Sequence, residues 1–592
     1  MLADGASPCD LLHEVPFRRL DVEGTVRALG FAFSSGDVGD SFIRLLDRAE
    51  LAPSSFAPGD FADDVFLREL VARCLRVRVA GHERQLSGAQ LYRLVSEPPR
   101  EIAHTRFRQE IFRELCALPA LRKQLEKVHG FLTQFRDLLS RRGVSSPGGS
   151  ELRLGVLRSL RRVVELLSSG FGECRSGLQR LDQYGRELAS LPSFRRVCEL
   201  LDYEAHRGEV DIRIRLGFDG QVRGFEALER RANRSNPFYS TLVGRWLTRL
   251  GLFLRGERAS PGEILARLAD DVFSGLEGRL VFFFQLIGDL EFYLAGLGFR
   301  DAALARGLEV CLPEFCQEQM PSYRALFNPL LAAEGMACVP CDLQVPGQGP
   351  IVLITGPNSG GKTRLLQSLA LAQLLGQAGL FVPAQQARLP WVNGLFASLI
   401  DRIDAGHVEG RLGTELLRIR RLFEVVKAGS MVLMDELCSG TNPSEGEELQ
   451  QLVLEMLGEL RPRAFVTTHF LQFTAKLAQT TPGLRFLQVE LDAAERPTYA
   501  FVPGVARTSL AHRVAERLGV TRSALRELMW RNNPRPRDTA ARDMAARDTA
   551  ARDTALREPV GLQRVELGLQ EIGLQEIGLQ EEEDAISRRR AP

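Results

Sequence analysis

Apolar positions along the chain change period several times, and each change predicts a different kind of structure. Residues up to about Pro99 mix short helical and strand-like patterns with turn clusters such as Ala52-Pro53-Ser54-Ser55, which predicts a small mixed domain. From about Arg106, the residues Ile111, Leu115, Leu118, Leu121, Leu125 and Val128 recur at helical spacing. Ser145 to Ser150 interrupts this pattern with proline and paired glycines. Helical patterning resumes at Leu152 and continues, with breaks, to about Gly307. Inside that stretch Val210 to Leu216 alternates at period two before Asp219-Gly220, which predicts a strand and a turn. From Val339 to about Val505, apolar runs (Ile351 to Ile354, Met431 to Met434, Ala464 to Val466) alternate with helical stretches. That is the pattern of a mostly parallel sheet covered by helices. Beyond Arg531, five-residue repeats take over, first Arg537-Asp538-Thr539-Ala540-Ala541 and then Gly568-Leu569-Gln570-Glu571-Ile572. Their period matches neither helix nor strand and predicts a flexible or partly helical, disordered tail.

These changes divide the chain into residues 1–100 (small mixed domain), 101–320 (mostly α-helical), 321–530 (α/β domain ending in a helical segment) and 531–592 (low-complexity tail). Composition narrows the function classes. With 76 Lys+Arg against 75 Asp+Glu the net charge is +1, which excludes a histone-like polycation and an acidic solvating protein. Nucleic-acid binding stays open if its contacts are local. Arg245, Arg249 and Arg255 on the helical stretch Leu242 to Leu254 are one such patch, to be weighed against a solvated basic face. The most apolar stretch, Leu280 to Leu297, carries Gln285, Asp289 and Glu291, which predicts a buried helix and no membrane partner. No signal peptide is evident, and ten scattered cysteines predict free thiols in a reducing cytoplasm.

The chemistry lies in three strand ends. Gly356-Pro357-Asn358-Ser359-Gly360-Gly361-Lys362-Thr363 matches the phosphate-binding loop in full, between an apolar strand and a helix start. Its glycines let backbone N–H groups turn toward phosphates, Lys362 would reach the β- and γ-phosphates, and Thr363 would supply a hydroxyl to Mg²⁺. Met431 to Met434 leads into Asp435-Glu436, so Asp435 would hold Mg²⁺ and Glu436 would orient or deprotonate the attacking water. Val466-Thr467-Thr468-His469 is a third strand end, with His469 placed to sense the γ-phosphate. Cys311, Cys316, Cys338 and Cys341 have a spacing that zinc ligands can take, but strand alternation around Cys341 would separate them.

These motifs, in this order, resemble the MutS family of ABC-type ATPases. Leu433-Met434-Asp435-Glu436-Leu437-Cys438-Ser439-Gly440-Thr441 resembles its Walker B strand and following loop, and Thr467-Thr468-His469-Phe470 its histidine switch. Gly379 to Ala384 resembles the strand after its loop helix. Asn328-Pro329-Leu330-Leu331 and Val339-Pro340-Cys341-Asp342 resemble its lead-in strands. Tyr499, Gly504, Ser509, Val514-Ala515 and Gly519 match the spacing of its C-terminal helical dimerisation segment. The helical region before the loop suits the family's core and lever helices. In the signature segment Gly410-Arg411-Leu412-Gly413-Thr414-Glu415, Gly410 stands where the family has Ser and Leu412 where it has Phe. A hydroxyl is thereby lost. The family's mismatch reader, a Phe with a Glu two residues later, has no counterpart in the first hundred residues, and Phe171-Gly172-Glu173 falls in the wrong region.

The resemblance implies an ATPase using ATP and Mg²⁺ that forms a homodimer on ATP and clamps DNA, whether duplex, mismatched or branched. Each site would be completed by the partner chain through Gly410 and the loop Ser439-Gly440-Thr441. Mismatch repair or a related DNA repair or recombination process is the implied setting. A nucleotide-switched interaction protein without a DNA substrate is the alternative, and a transporter ATPase subunit a weaker third.

Overall fold

The computed structural model describes residues 9–35, 41–79, 82–83, 88–140, 149–205, 208–216, 222–232, 269–270, 272–316, 320–345, 349–399, 411–438, 442–507, 518–532 and 546–547. The chain divides into two units, Met1–Leu510 and Ala511–Pro592.

The first unit begins with helices Val22–Ser35 (α1), Ser41–Asp47 (α2), Leu67–Cys74 (α3) and Gly88–Ser96 (α4). The two-residue strands Arg78–Val79 (β1) and His82–Glu83 (β2) lie between α3 and α4. Ile102–Ala117 (α5) and Pro119–Leu139 (α6) follow. The sequence spacing predicts one helix through Leu118, but the structure has two. Leu118 takes φ −125° and ψ 87° because the ring of Pro119 disfavours helical backbone in the residue before it. Proline then occupies the first position of α6, where its missing N–H costs nothing. Next come Gly149–Ser168 (α7), Gln179–Ser190 (α8) and Pro192–Ala205 (α9). The expected strand and turn appear as Gly208–Leu216 (β3) paired antiparallel with Val222–Ala232 (β4).

Glu277–Leu304 (α10) is long and apolar enough to cross a membrane, yet its apolar window is wholly buried. Phe282, Phe283, Phe284, Phe292 and Tyr293 are each at most 1% exposed. Burial of such a side chain contributes about 2–3 kcal/mol. Two of the polar residues that argue against a membrane span have hydrogen-bond partners, while Glu291 lies 3.6 Å from the buried His129. Gln285 Oε1 accepts from Arg19 N (2.9 Å), Asp289 Oδ2 accepts from Leu11 N (2.9 Å), and Asp289 also pairs with the Arg19 guanidinium.

Two sheets follow. Glu314–Cys316 (β5), Ser322–Leu326 (β6), Cys341–Leu343 (β7) and Gln386–Pro390 (β9) form a small mixed sheet in the order β5-β9-β6-β7. Ile351–Thr355 (β8), Leu395–Ser398 (β10), Met431–Met434 (β11), Arg463–Thr467 (β12), Leu484–Leu491 (β13) and Pro497–Pro503 (β14) form the larger one, ordered β10-β11-β12-β8-β13-β14. Every pairing in it is parallel except β13 with β14. The apolar runs read from the sequence are three of its four inner strands, β11, β12 and β8; β8 and β11 are buried at every residue, as a parallel sheet covered on both faces requires.

Two expected strands are not strands. Asn328 accepts from Leu330 N and Leu331 N and so caps a short helix, Pro329–Ala333 (α11), instead of extending. Residues 379–384 leave the loop helix through Gly379 at φ 89° and make a single bridge, Val382 with Cys311.

The helices of the larger sheet are Lys362–Ala378 (α12), Arg411–Val425 (α13), Pro443–Leu460 (α14) and Leu471–Thr480 (α15). Every residue of α12 from Leu365 to Ala378 is buried, including the polar Gln367, Ser368, Gln373 and Gln377, whose side chains are hydrogen-bonded within the fold. Its C-terminal carbonyls are satisfied from α5, where Thr105 Oγ1 donates to Gln377 O (2.6 Å) and Arg108 Nη1 to Ala378 O (2.8 Å). One continuous core cluster includes Cys9, Phe112, Phe283, Leu371 and Phe501, so it crosses the sequence divisions near residues 100 and 320. In the second unit, Arg522–Asn532 (α16) exposes Leu525, Leu528 and Met529.

Candidate active site

The loop Gly356–Thr363 turns from β8 into α12 through two positions that only glycine fits. Gly356 has φ 146°, and a Cβ there would lie 2.6 Å from Val489 Cγ2. Gly361 has φ 88°, and a Cβ there would lie 3.3 Å from Tyr499 Cδ1. Pro357 and Gly360 are buried and joined by Gly360 N donating to Pro357 O (3.1 Å), while Asn358 and Ser359 are exposed.

Lys362 is 5% exposed, and its ammonium donates to Gly356 O (3.1 Å) and Pro357 O (3.2 Å). The Glu436 carboxylate is 3.9 Å away. Burial holds the lysine below its ordinary pKa, against the opposing charges of Glu436 and Asp435.

Strand order places Asp435 beside Thr363. β11 is separated from β8 only by β12, and both strands end at the same edge of the sheet. Thr363 Oγ1 donates to Asp435 Oδ2, and Thr467 Oγ1 donates to Asp435 Oδ1. The same Thr467 oxygen accepts from Glu436 N (2.8 Å), so one hydroxyl at the end of β12 contacts both acidic residues. Glu436 and Cys438 have φ 47° and 60°. Cys438 N donates to Glu415 Oε1 of α13 (2.6 Å). His469 follows β12 as an exposed residue, its ring centroid 4.2 Å from that of Phe470. Of eight described non-glycine residues with positive φ, Ser359, Glu436, Cys438 and Tyr499 lie at this end of the domain. Such backbone costs about 1–3 kcal/mol per residue, and it concentrates where function constrains geometry.

A cavity of about 350 Å³ adjoins the loop, lined by Gly361, Arg364, Met336, Val339, Tyr499 and Phe501. A larger one, about 620 Å³, opens at the opposite edge of the strands among Pro350, Arg461, Arg463 and Leu484, away from the loop.

The structure therefore gathers Gly356 to Thr363, Asp435 and Glu436 at one sheet edge, with His469 at the end of the strand between them. Gly410, Ser439, Gly440 and Thr441 lie outside the described residues, as do Arg245, Arg249, Arg255, Ser509, Val514 and Ala515. Phe171 is a fully buried core residue. Cys316 and Cys338 thiols donate to different backbone carbonyls, those of Leu389 and Asn328. Sequence reasoning placed Thr467 in the histidine switch, Glu415 in the signature segment and Tyr499 in a helical dimerisation segment, without giving them these contacts; Tyr499 lies instead in strand β14. Thr467 had a usable signal, a hydroxyl at the last position of the strand next to Asp435.

The donor set suits a nucleotide with Mg²⁺. Among the described residues the buried ammonium has only neutral carbonyls within hydrogen-bond distance, and the loop opens at a helix N-terminus, where anions are favoured. The Thr363 hydroxyl and Asp435 carboxylate converge as hard oxygen ligands do.

Comparison with known proteins agrees with this geometry. Residues 352–528 match the family model for MutS domain V. The protein named Endonuclease MutS2 from Thermus thermophilus is 39% identical over 226 residues, which cover 38% of this chain and 29% of that protein. Its namesake from Thermomicrobium roseum is 34% identical over 259 residues, 40% of this chain and 32% of the relative. That from Pelotomaculum thermopropionicum is 28% identical over 380 residues, 63% of this chain and 46% of the relative. The chain thus spans about a third to a half of the length of these relatives.

Proposed function

For a chain that belongs to the MutS family, we propose an ATP-driven DNA-binding protein in which nucleotide binding closes two copies on each other. The observation that carries this reading is the contact of Thr363 Oγ1 with Asp435, made across the sheet beside a buried Lys362. In this reading Lys362 and the loop N–H groups hold the β- and γ-phosphates. Thr363 and Asp435 hold Mg²⁺, which neutralises charge on the phosphates when bound. Glu436, its backbone tied to Thr467, orients and deprotonates the attacking water. His469 contacts the γ-phosphate side, and the base enters the cavity walled by Tyr499 and Met336. Gly410 and the loop Ser439-Gly440-Thr441 complete the partner's site in the same scheme. The Leu525, Leu528 and Met529 face of α16 supplies apolar surface for a second copy. Differential contacts to the γ-phosphate supply the energy for closure.

The DNA contacts must be local, because the net charge is only +1. DNA repair or recombination is the proposed setting. The cytoplasm is the proposed compartment, and ten free cysteines accord with a reducing one. The word endonuclease in the relatives' names is said of those proteins; we propose no nuclease step for this chain.

The deciding experiment measures ATP hydrolysis and gel shifts with homoduplex, mismatched and branched DNA, with and without ATP. Binding to at least one of them, altered by ATP, is expected. Absence of binding to all three at low salt would end the DNA role and favour a nucleotide-switched protein interaction.

A further inference from the structure

The acidic pair at the end of β11 is fixed from two sides. On one side, Thr467 Oγ1 accepts from Glu436 N (2.8 Å) and donates to Asp435. On the other, two residues further on, Cys438 N donates to Glu415 Oε1 (2.6 Å). Both Glu436 and Cys438 are held in left-handed backbone, φ 47° and 60°, which a non-glycine residue adopts only when its surroundings impose it. Thr467 accounts for the first of these. Within the described contacts, the carboxylate of Glu415 is what fixes the second.

Glu415 belongs to a different element, helix α13. That helix is anchored to the domain through buried Leu422 and through Ile419 packed on the same core. Arg418 Nη1 donates to Ser398 Oγ (3.2 Å), and Ser398 O accepts from Asp435 N (2.9 Å). The helix therefore reaches the acidic strand end directly at Cys438 and, one step removed, through Ser398 of β10. Its other side exposes Leu416, Leu417 and Phe423. A shift of α13 along its axis would pull directly on the backbone that aims Glu436.

We propose that Glu415 is a positioning residue for ATP hydrolysis, holding the loop after Glu436 through the Cys438 N–H so that the Glu436 carboxylate faces the attacking water. The role rests on the ATPase reading above. Because Glu415 touches neither phosphate-loop residue nor Asp435, its loss alters the rate of the chemical step and leaves nucleotide affinity in place. It also joins the helix that follows Gly410 to the chain's own Glu436. Movement of that helix on meeting a second copy would then be transmitted to hydrolysis.

The test uses the full chain and three variants, read by kcat for ATP hydrolysis and by Kd for a fluorescent ATP analogue. Glu415→Ala removes the acceptor. Glu415→Asp keeps the charge but is one methylene short of the Cys438 N–H. Glu415→Gln keeps an oxygen at the same reach. A charged acceptor on a partly buried N–H gives an expected kcat loss of about tenfold for both Ala and Asp, with Kd unchanged within about twofold. Glu415→Gln should stay within about threefold of wild type. This order, Gln above Asp, separates hydrogen-bond reach from charge and from bulk stability, and the two conservative variants keep the test valid if Ala unfolds. Equal activity of all three variants and wild type overturns the role, as does an equal loss in Gln and Asp or a loss confined to Kd. A wild-type chain that binds no ATP overturns the ATPase reading and the role with it. A wild type that hydrolyses ATP beside an unimpaired Glu415→Asp removes only the role.

Discussion

Among the places where the protein buries charge, two stand in contrast, and they separate a structural charge from a functional one. Around the middle of α10, Arg19 pairs with Asp289 and lies 3.7 Å from Asp10, with all three side chains fully buried. Asp10 accepts from Leu12 N (2.9 Å) and the His13 ring (2.8 Å). Burial alone would raise the Asp10 carboxyl pKa; Arg19 and His13 outweigh it and hold the pKa at about 2. At the edge of the α/β sheet, Lys362 is equally enclosed but has two neutral carbonyls within hydrogen-bond distance and a carboxylate only at 3.9 Å. The first arrangement answers charge with charge, although burial still lowers the Arg19 pKa and its Nε and Nη1 have no hydrogen-bond partner among the described residues. The second leaves a cation under-neutralised, and a phosphate would complete it. Incomplete charge pairing alone does not mark a site, since buried Arg108 also bonds to carbonyls, those of Leu12 and Ala378; what marks Lys362 is that it opens the helix after the loop with the Glu436 carboxylate 3.9 Å away.

The largest expected effect tests the under-neutralised charge. Lys362→Ala should lose ATP binding, by 100-fold or more (order of magnitude), with the urea midpoint shifted by less than about 1 kcal/mol. A variant that binds ATP normally would remove the distinction. Glu436→Gln comes next: about 10²–10⁴-fold slower hydrolysis with ATP binding retained, measured by single-turnover kinetics. Hydrolysis at the wild-type rate would show that Glu436 is not the base. Arg19→Met tests the charge-paired cluster, since it leaves Asp10 and Asp289 buried without their cation. It should cost about 3–5 kcal/mol in urea unfolding while ATP affinity of the folded fraction stays unchanged. A loss below about 1 kcal/mol would mean the cluster is not the structural charge we take it to be.

The smallest effect concerns pH. Burial lowers the His13 pKa to about 4, against the raising influence of Asp10. A histidine with a depressed folded pKa binds its proton less readily than in the unfolded chain. Stability is therefore full above about pH 6.5 and falls as pH drops toward 4, by up to about 3 kcal/mol. His13→Gln should flatten the urea midpoint over that window; an unchanged slope would assign the pH dependence elsewhere.

What the sequence discloses about this molecule is what lies close together in it. The loop Gly356 to Thr363 and the run Met431 to Glu436 carry their own flanks, so strand, turn and helix are legible from a few residues each. Helix α10 is legible as a buried helix because Gln285, Asp289 and Glu291 spoil a membrane reading. Their partners are not legible, since Arg19 and Asp289 are 270 positions apart and no local pattern joins them. Glu415 and Cys438 are 23 positions apart on different elements, and only the fold brings them together. Asn328 misleads for a local reason: its side chain can cap a helix or sit in a strand, and the Pro329 that follows suits the first turn. The loop 439–441 and Gly410 remain matters of the resemblance alone.

The N-terminal segment bonded to α10 has a consequence for how the chain is made. Leu11 N and Arg19 N find their acceptors 278 and 266 residues downstream. At roughly 5–20 residues per second of synthesis, those acceptors leave the ribosome about 15–60 s after the segment that needs them. During that interval Asp10 and Arg19 stay hydrated, and the apolar residues beside them, Leu11 and Leu12, have nowhere to pack. The segment around Leu11 and Arg19 therefore stays unsecured until residues 285 and 289 are made, which makes the nascent chain dependent on delay, or on a chaperone, through that interval.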